Sequence, residues 1–285
     1  MRNRDDHAID LFERALITGS GGMVGSYIDF GMRVPHGTLD VSDLSAVRKV
    51  VAVQRPRLII HLAAATNLIA CEKEPQQAYM VNAVGTYNVA LVAREVGAKL
   101  VYVSTSAVFD GVKEAPYVES DVPTPNTQYG HSKYLGELAV AGLLSDFLIL
   151  RTCWVFGGGP HKDHKFVGNI KRKSDEQQIQ VIGGKRGSPT YGKDLVAAMV
   201  ALVEEGGRGV YHVSNKGAPT RVDIAREIVT LSGSSAKVVE AEAAVFEKDY
   251  PGAGSRGNES ITSSKIELRP WQDALKEYLD TEWGA

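Results

Sequence analysis

Short apolar runs alternate along this chain with longer segments in which apolar residues recur every three or four positions. The short runs indicate buried strands, and the longer periodic segments indicate helices. We expect strands at residues 15–18, 58–62, 100–103, 147–150 and 209–213, and helices at residues 42–54, 75–97, 128–144, 193–205, 222–231 and 271–279. Because strands and helices alternate and crossovers between parallel strands are right-handed, the pattern predicts an α/β fold, a doubly wound parallel sheet with helices on both faces.

The composition excludes several classes of protein. The 285 residues include 32 basic and 34 acidic side chains, so the chain has no overall basic field with which to bind nucleic acid. No stretch is long and apolar enough to span a membrane. Cys71 and Cys153 lack the spacing of metal ligands or of a disulfide framework, and no ligand cluster accompanies His161 and His164. We therefore expect a cytoplasmic protein with reduced thiols and no metal site.

A glycine-rich turn directly follows the first predicted strand. Gly19, Gly22 and Gly25 have the spacing G-x-x-G-x-x-G. A strand, a glycine turn and the start of a helix place backbone N–H groups where a pyrophosphate can bind, and glycine permits its close approach. The expected domains are an N-terminal extension (1–14), a dinucleotide-binding core (15–157) and a smaller, mixed C-terminal lobe that binds substrate (158–285).

The choice between NAD(H) and NADP(H) is left open by the next segment. In a dinucleotide-binding fold an acidic residue about 20 positions further on binds the adenosine ribose. Asp40 is the acid at about that distance, but it has an equally good interpretation as part of the cap of the next helix. Arg33, on a short second strand, offers the alternative of a cation that faces a 2′-phosphate.

Small residues follow the strand at 58–62. Ala63, Ala64, Ala65 and Thr66 let a flat ligand lie against the backbone, although such residues also suit tight packing. Further on, Asn82 interrupts the apolar helix 75–97. It is either a buried amide that bonds to a neighbouring strand or a surface residue.

Two more segments carry candidate chemistry. Ser104, Thr105 and Ser106 follow the fourth strand, at the sheet edge where ligands bind, although three hydroxyls also suit an ordinary loop. Tyr129 and Lys133 lie four residues apart on one face of the next helix. A cation beside a phenol lowers the phenol pKa and makes the pair a proton donor and acceptor, although such pairs also occur on solvated helices.

Together these motifs resemble the extended short-chain dehydrogenase/reductases, and within them the dTDP-4-dehydrorhamnose reductase branch. The resemblance to the branch rests on Ser104-Thr105 with residues 108–111, Tyr129 to Lys133 with Gly136-Glu137, residues 150–152 with 154–157, residues 187–191 with Asp194-Leu195, residues 209–213, and residues 271–275. It extends from Ala15 almost to the end of the chain.

The resemblance implies a Rossmann-type fold and the reduction, by NADP(H) or NAD(H), of the C4 ketone of a nucleotide-diphosphate-linked 4-keto-6-deoxy sugar. It makes Tyr129 the proton donor, Lys133 the residue that binds the nicotinamide ribose, and Thr105 the residue that bonds the carbonyl oxygen. The implied cofactor-binding residues are Gly19, Gly22, Met23, Val24, Gly25, Asp40, Ala63, Ala64, Ala65, Tyr129 and Lys133. The implied substrate-binding residues are Thr66, Ser106 and Trp154, although a Trp after a buried strand is as often a core residue.

Two positions depart from the branch. It usually has Asp-Tyr after the active hydroxyl, where this chain has Ser106-Ala107, and it has an Asp where this chain has Ile69. The catalytic set is intact, whereas the set that faces the substrate is altered. The reaction type is therefore better determined than the sugar or the nucleotide.

Two other functions remain open from the sequence. An epimerase or dehydratase of the same fold would keep NAD bound and use the same Tyr129 and Lys133, although dehydratases usually place acidic residues beside the active hydroxyl. A regulatory subunit would keep the nucleotide pocket without catalysis. The resemblance also implies a homodimer, because helices at 76–96 and 128–144 commonly form a two-fold, four-helix interface in this superfamily.

Overall fold

The computed structural model describes residues 11–246 and 257–284, which form two units. The first unit contains the described residues up to Val108, together with Pro125–Arg151 and Val196–Tyr211. The second contains Phe109–Thr124, Thr152–Leu195 and the described residues from His212 onward. Each unit is assembled from separate stretches of the chain. Most of the predicted N-terminal extension, residues 1–10, lies outside the described residues.

The predicted strands are present with small changes in their ends, and so are the predicted helices except the one expected at 75–97, which is divided. The strands are β1 (Leu16–Thr18), β2 (Met32–Val34), β3 (Leu58–His61), β4 (Lys99–Thr105), β5 (Phe147–Thr152), β6 (Val155–Phe156), β7 (Gln178–Ile182), β8 (Thr190–Tyr191), β9 (Gly209–His212) and β10 (Lys237–Ala241). The α-helices are α1 (Leu44–Gln54), α2 (Leu68–Lys73), α3 (Pro75–Tyr79), α4 (Thr86–Val96), α5 (Gln128–Leu143), α6 (Gly159–Lys162), α7 (Phe166–Arg172), α8 (Gly192–Glu204), α9 (Arg221–Leu231), α10 (Ala243–Phe246) and α11 (Trp271–Glu282). None of the helices in the described part of the chain is long and apolar enough to cross a bilayer.

A six-stranded sheet in the order β2-β1-β3-β4-β5-β9 forms the centre of the fold. β1 is parallel to both β2 and β3, with Leu16 beside Met32 on one side and Ile59 on the other. The chain therefore leaves β1 towards one edge of the sheet and continues from β3 towards the other. Open α/β sheets bind ligands at such a switch point, outside the carboxyl ends of the strands. The predicted Rossmann-type parallel sheet is confirmed.

The core lies between this sheet and its helices. Every residue of β1 and β3 is buried, as expected for parallel strands covered on both faces. α1 contributes Val47 and Val51 to the core, and α4 contributes Val89 and Ala93. Continuous apolar runs in the sequence thus become strands whose two faces are both packed.

The helix predicted at 75–97 is divided. α3 ends at Tyr79, Met80–Gly85 forms a π-helical turn, and α4 continues to Val96. π-helical turns are rare and concentrate at functional sites. Asn82, in the middle of this turn, is fully buried, which decides between its two sequence interpretations.

α5 lies very close to β4 and to the segment that follows it. A Cβ added to Gly130 would lie 2.1 Å from the carbonyl oxygen of Ala107, and one added to Gly136 would lie 2.5 Å from the Tyr102 hydroxyl. Only glycine allows this approach. The buried face of α5 therefore carries small and charged residues, whereas its apolar Leu135 and Leu138 are 44% and 50% exposed.

The second unit contains two small parallel sheets, β7 with β10 and β6 with β8. Phe156, Tyr191 and Tyr278 form an aromatic cluster whose ring centroids are 5.4–5.6 Å apart. The hydroxyl of Tyr278 donates to the buried Asp163 at 3.0 Å, which fastens α11 to the segment after α6.

Replacing Gly130 with alanine is expected to lower the free energy of unfolding. The new methyl group would overlap the Ala107 carbonyl, and overpacking of this kind typically costs about 1–3 kcal/mol. Urea unfolding followed by circular dichroism measures the change. Gly142→Ala, in the same helix, is the matched control, because nothing lies within 4 Å of its added Cβ. There alanine should stabilise by about 0.5–1 kcal/mol, and equal midpoints for the two variants would contradict the close approach.

Candidate active site

The turn after β1 makes the close approach that its glycines suggest. Gly19 has a φ of 69°, and a Cβ at this position would lie 2.5 Å from the amide nitrogen of Ala63. A Cβ on Gly25 would lie 2.3 Å from the carbonyl oxygen of Ser20. The loop after β1 is thus pressed against the loop after β3, on the two sides of the switch point.

The helix expected after this turn is reduced to a single 3₁₀ turn, Val24–Tyr27. The backbone N–H groups of Gly19 and Ser20 both donate to the carbonyl oxygen of Val34, at 2.9 and 3.4 Å. The reason is length, because the connection from β1 to β2 occupies only residues 19–31. Such a short turn presents few aligned N–H groups to an anion, so the expected helix N-terminus is largely missing.

Asn82 fixes the loop after β3. Its side-chain oxygen accepts from the backbone N–H of Ala65 at 2.8 Å, and its side-chain nitrogen donates to the Ala65 carbonyl oxygen at 3.0 Å. The same nitrogen donates to the hydroxyl of Ser132, also at 3.0 Å. One buried amide therefore connects the small-residue loop of Ala63, Ala64 and Ala65 to the first turns of α5.

A second buried group supports the floor of this region. His61 lies at the end of β3, bonded to the hydroxyl of Thr18 at 2.7 Å and to that of Thr86 at 3.1 Å. Burial, together with the charge of Lys133, lowers the His61 pKa to about 3. The imidazole is therefore neutral and joins β1, β3 and α4 as a hydrogen-bonded support.

Thr105 is the last residue of β4. Its hydroxyl oxygen accepts from the backbone N–H of Ala107 at 3.1 Å, and the side chain is partly accessible. Ser106 begins a short 3₁₀ turn and is buried. The carbonyl of Ala107 meets the glycine at position 130, so the start of α5 packs directly against the segment that carries Thr105.

Tyr129 lies in the first turn of α5 and is partly accessible. The helix begins at a cap in which the Thr127 hydroxyl accepts from the backbone N–H of Gly130 at 3.1 Å. One turn later the Lys133 ammonium donates to the carbonyl oxygen of Val103 at 2.8 Å. Lys133 therefore bonds the backbone of β4 two residues before Thr105. The end of β4 thus brings together the segments that carry Thr105, Tyr129 and Lys133.

Lys133 is a buried cation. Its side chain is 2% exposed, and its nitrogen lies 4.1 Å from the centroid of the Tyr102 ring. Burial lowers its pKa from 10.5 to about 7, while the charge of Glu137 opposes that change. The amine therefore exchanges a proton near neutral pH, because burial removes the water that would stabilise its charged form.

A buried ion pair lies one turn further along α5. Arg151, at the end of β5, donates from Nη2 to Glu137 Oε2 at 2.7 Å and from Nε to Oε1 at 3.0 Å. The hydroxyl of Ser104 donates to the same carboxylate at 2.5 Å. This pair ties α5 to β4 and β5. In the sequence, Arg151 directly follows a buried apolar run, but the spacing of residues does not reveal that its partner is Glu137.

The remaining predicted residues of the first unit lie around the glycine turn and the loop after β3. Met23 and Val24 are partly accessible, and Thr66 is exposed just before α2. Asp40 accepts through Oδ1 from the backbone N–H and the hydroxyl of Ser42, at 2.9 and 2.7 Å. These bonds lower the Asp40 pKa. Asp40 thus makes a local turn with Ser42, whereas the N-cap of α1 is Asp43, whose side chain accepts from the backbone N–H groups of Ser45 and Ala46.

These groups fit a nicotinamide dinucleotide. The glycine turn and the small-residue loop face each other at the switch point of the sheet, where such cofactors bind. At Gly19 and Gly25 the space that a Cβ would need is filled by the backbone of Ala63 and Ser20, so these glycines bring the two loops together at the switch point. The hydroxyl of Thr105, the phenol of Tyr129 and the amine of Lys133 are groups that can donate to a carbonyl oxygen, and they belong to segments that pack together at the end of β4 and the start of α5.

Trp154 belongs to the second unit and is held in a defined orientation. Its indole N–H donates to Glu259 Oε2 at 3.0 Å, and the Arg221 guanidinium lies 4.7 Å from the ring. Its backbone is left-handed, with a φ of 42°. A Cβ on Gly187 would lie 2.4 Å from the indole. This is a clamped, partly accessible aromatic side chain and not a fully buried core residue.

Comparison with known proteins places these features in a family. The spore coat polysaccharide biosynthesis protein SpsK of Bacillus subtilis is 33% identical over 283 residues, covering 95% of this chain and 99% of that protein. A dTDP-4-dehydrorhamnose reductase of Mycolicibacterium smegmatis is 34% identical over 293 residues, covering 96% of this chain and 88% of that protein. The crystal structure of a dTDP-4-dehydrorhamnose reductase from Bacillus anthracis in complex with NADP has a TM-score of 0.86 at 32% identity, covering 94% of this chain and 98% of that one.

The family model described as the RmlD substrate binding domain matches residues 13–283, nearly the whole chain. This match and the relatives confirm the resemblance to the dTDP-4-dehydrorhamnose reductase branch of the extended short-chain dehydrogenase/reductases. The chain belongs to the RmlD substrate binding domain family.

Proposed function

We propose that this protein is an NAD(P)H-dependent reductase of the C4 ketone of a nucleotide-diphosphate-linked 4-keto-6-deoxy sugar, such as dTDP-4-dehydrorhamnose. The observation that carries the proposal is the meeting of the Thr105, Tyr129 and Lys133 segments at the carboxyl end of β4, through the Lys133 bond to Val103 and the contact of Gly130 with Ala107. Relatives that align over most of their length are named for this activity, which supports the substrate class.

The chain's own residues supply orientation and a proton. Thr105 donates a hydrogen bond to the ketone oxygen, and Tyr129 gives that oxygen its proton as negative charge develops on it. Lys133 stabilises the phenolate that remains. When bound, a reduced nicotinamide supplies the hydride that completes the alcohol. The cofactor is held by the glycine turn, by the small-residue loop that Asn82 fixes, and by Lys133.

Lys133 is placed for function at a cost to stability. The fall of the Lys133 pKa from 10.5 to about 7 means that burying its charged form lowers the free energy of unfolding. Strongly shifted ionisable groups in clefts are typical of catalytic positions. The Glu137 carboxylate favours the charged form of Lys133. It does not form a direct pair with Lys133 that would take the place of the substrate, because it is already bonded to Arg151 and Ser104.

The substrate contacts are proposed from chemistry. In the first unit, Thr66 offers an exposed hydroxyl after β3, and Ser106 offers a buried hydroxyl directly after Thr105. Trp154 offers an aromatic face of fixed orientation for the sugar or base, in the second unit. The residue after Thr105 is a serine and not an acid, which favours a reductase over a dehydratase.

A homodimer is proposed for the assembly. Met80, Val84 and Tyr87 are exposed at helical spacing, and Leu135 and Leu138 are exposed on α5, which packs beside this helix. In a two-fold dimer the same apolar surface pairs with itself, and such dimers are the commonest oligomers. The superfamily resemblance supports a second copy as the occupant.

The cytoplasm is the proposed location. Both cysteines carry buried thiols, which suits a reducing compartment. Nucleotide-linked sugars and reduced nicotinamides are the proposed small-molecule partners, and the names of the relatives support both classes.

Tyr129→Phe should lower kcat by about 100- to 10,000-fold, the usual worth of a positioned proton donor. Binding of NADPH, measured by its fluorescence, should change less than threefold. Oxidation of NADPH and NADH with dTDP-4-dehydrorhamnose, followed by absorbance, measures the activity. Tyr134→Phe on the same helix is the control and should retain full activity.

Unchanged turnover in Tyr129→Phe would overturn the mechanism. A wild-type protein that binds cofactor but oxidises it with no TDP-, GDP-, UDP- or CDP-linked ketosugar would instead support a regulatory subunit. NAD⁺ that remains bound through purification, with product formed and no net oxidation, would indicate an epimerase.

Lys133→Met should abolish activity but stabilise the cofactor-free protein in acid. Between pH 7 and 10.5 the unfolded state binds a proton that the folded state does not, so wild-type stability rises with pH across this window. The gain from methionine should therefore be largest below about pH 7 and shrink towards about pH 10. Thermal unfolding at several pH values measures it. Lys49→Met, at an exposed site, should give a difference that does not vary with pH, and the same result for both variants would contradict the burial of a titrating amine.

Leu138→Glu should convert the proposed dimer to a monomer, because a charge would be buried in an apolar interface. Light scattering after size-exclusion chromatography measures the mass. Val53→Glu, at an exposed apolar site on α1, should remain dimeric. A monomeric wild type, or a Leu138→Glu variant that stays dimeric, would refute this interface.

A further inference from the structure

Glu137 is a buried carboxylate to which the proposed reaction assigns no step. It lies on α5, one turn after Lys133. Ser104 on β4 and Arg151 on β5 both bond to it, and both are buried as well. These three side chains are therefore shielded from water between α5 and the sheet.

Stability alone does not account for an ion pair in this place. Removing a carboxylate and a guanidinium from water costs about as much as their attraction returns, and well-packed apolar side chains are often at least as stable. The pair nevertheless has two-point geometry, with Arg151 Nε 3.0 Å from Glu137 Oε1 and Nη2 2.7 Å from Oε2. The value of the carboxylate must therefore lie in the groups that it contacts and in those that its charge affects.

The first of these groups is the end of β4. The Ser104 hydroxyl donates to Glu137 Oε1 at 2.5 Å. Ser104 directly follows Val103, whose carbonyl oxygen accepts from the Lys133 ammonium at 2.8 Å. It directly precedes Thr105, which carries the hydroxyl proposed to bond the ketone. A shift of Ser104 would therefore move the acceptor of the amine and the catalytic hydroxyl together.

The second group is the amine of Lys133. Glu137 and Lys133 are four residues apart, which places them on one face of α5. Burial lowers the Lys133 pKa to about 7, and the charge of Glu137 opposes that change. The carboxylate thus favours the ammonium form, which is the form that stabilises a phenolate.

The other titratable groups around this helix face come from three strands and from α5 itself. Tyr102 of β4 has its ring 4.1 Å from the Lys133 nitrogen, and burial raises the pKa of its phenol, so the ring is neutral. His61 of β3 is also neutral, because its pKa is about 3, and Arg151 of β5 is a cation. Tyr129 is the phenol that Lys133 assists in the proposed reaction. The negative charge that favours the ammonium form therefore comes from the carboxylate one turn further along α5.

We propose that Glu137 is a positioning residue for the reduction, which acts through its bond to Ser104 and through its charge on Lys133. The bond keeps the Thr105 hydroxyl in place, and the charge keeps the amine in its ammonium form. Glu137 exchanges no proton in the reaction. This inference rests on the proposed function, because it concerns the same chemical step.

The pH dependence of reduction by the full chain tests the effect of the charge. With NADPH saturating, kcat/KM for dTDP-4-dehydrorhamnose should fall at alkaline pH as Lys133 loses its proton. Glu137→Gln keeps an oxygen that accepts from Ser104 but removes the charge, so the fall should move to lower pH by about 1 unit. Glu137→Asp keeps the charge, and its fall should stay near the wild-type pH.

Ser104→Ala tests the bond to the strand separately, because it leaves the carboxylate charged. It should lower kcat by about 10- to 100-fold, the effect of a small misplacement of reacting groups. KM for the ketosugar should stay nearly constant, since ground-state binding is not altered. The alkaline fall should stay at its wild-type pH.

Glu137→Gln leaves the Arg151 guanidinium buried without a carboxylate, which opposes folding. The double variant Glu137→Gln/Arg151→Met removes both charges, avoids that cost and should show the same movement of the alkaline fall. Heteronuclear NMR of lysine-labelled, cofactor-free protein follows the Lys133 Cε resonance against pH. It should give a lower pKa in both variants than in wild type.

Asp146→Asn is the matched control. Asp146 pairs with Lys99 at 2.7 Å, at the other end of β4. Loss of this ion pair should leave kcat and the alkaline fall unchanged.

An alkaline fall that stays at the wild-type pH in Glu137→Gln and in the double variant would show that the ion pair is only structural. A Ser104→Ala enzyme with full kcat would refute the proposal equally. A wild type that reduces no ketosugar would instead contradict the proposed function. The NMR titration would still decide in that case whether Glu137 acts on the amine.

Discussion

The close approach of α5 to β4 is the constraint on which the rest of the site depends. Gly130 and Gly136 remove the side-chain atoms that would otherwise separate the helix from Ala107 and Tyr102. The amine of Lys133 then reaches the backbone of β4, and the carboxylate of Glu137 reaches Ser104 and Arg151. A larger residue at either glycine would move Tyr129 and Lys133 away from Thr105 together, because all are fixed by one helix and one strand.

This packing places charges where water cannot solvate them. Glu137 and Arg151 form a two-point ion pair through Nε and Nη2 of the guanidinium, although a buried pair of this kind adds little net stability over an apolar alternative. The Lys133 ammonium donates to a backbone carbonyl oxygen and lies over the Tyr102 ring, and its pKa is lowered because burial outweighs the opposing charge of Glu137. The fold therefore gives up stability at the site that the proposed chemistry needs, as functional sites commonly do.

The cofactor side of the site is built differently. Its first crossover contains one 3₁₀ turn in place of an α-helix, and the glycine turn is held by Val34, by Arg33 and by contact with Ala63. Side chains thus take over positioning that a helix usually provides. Asn82 has the same character, because one amide in a π-helical turn orders both the loop after β3 and the start of α5.

Local pattern was sufficient for much of this protein. Short apolar runs identified the strands, period-3.6 segments identified the helices, and the spacing of Gly19, Gly22 and Gly25 after a strand indicated a dinucleotide site, because each of these signals acts between near neighbours in the chain. The roles of Thr105, Tyr129 and Lys133 followed from motif resemblance and stay predictions until they are measured.

Only the tertiary structure decided which side chains face one another. The apolar Leu135 and Leu138 lie outward while the charged Lys133 and Glu137 lie inward, the reverse of what hydrophobicity alone suggests. Asn82 could not be assigned from its position in a helix, because its partners lie 17 and 50 residues away. Burial and pairing depend on the distance between elements that are remote in sequence, and a one-dimensional pattern does not contain that distance.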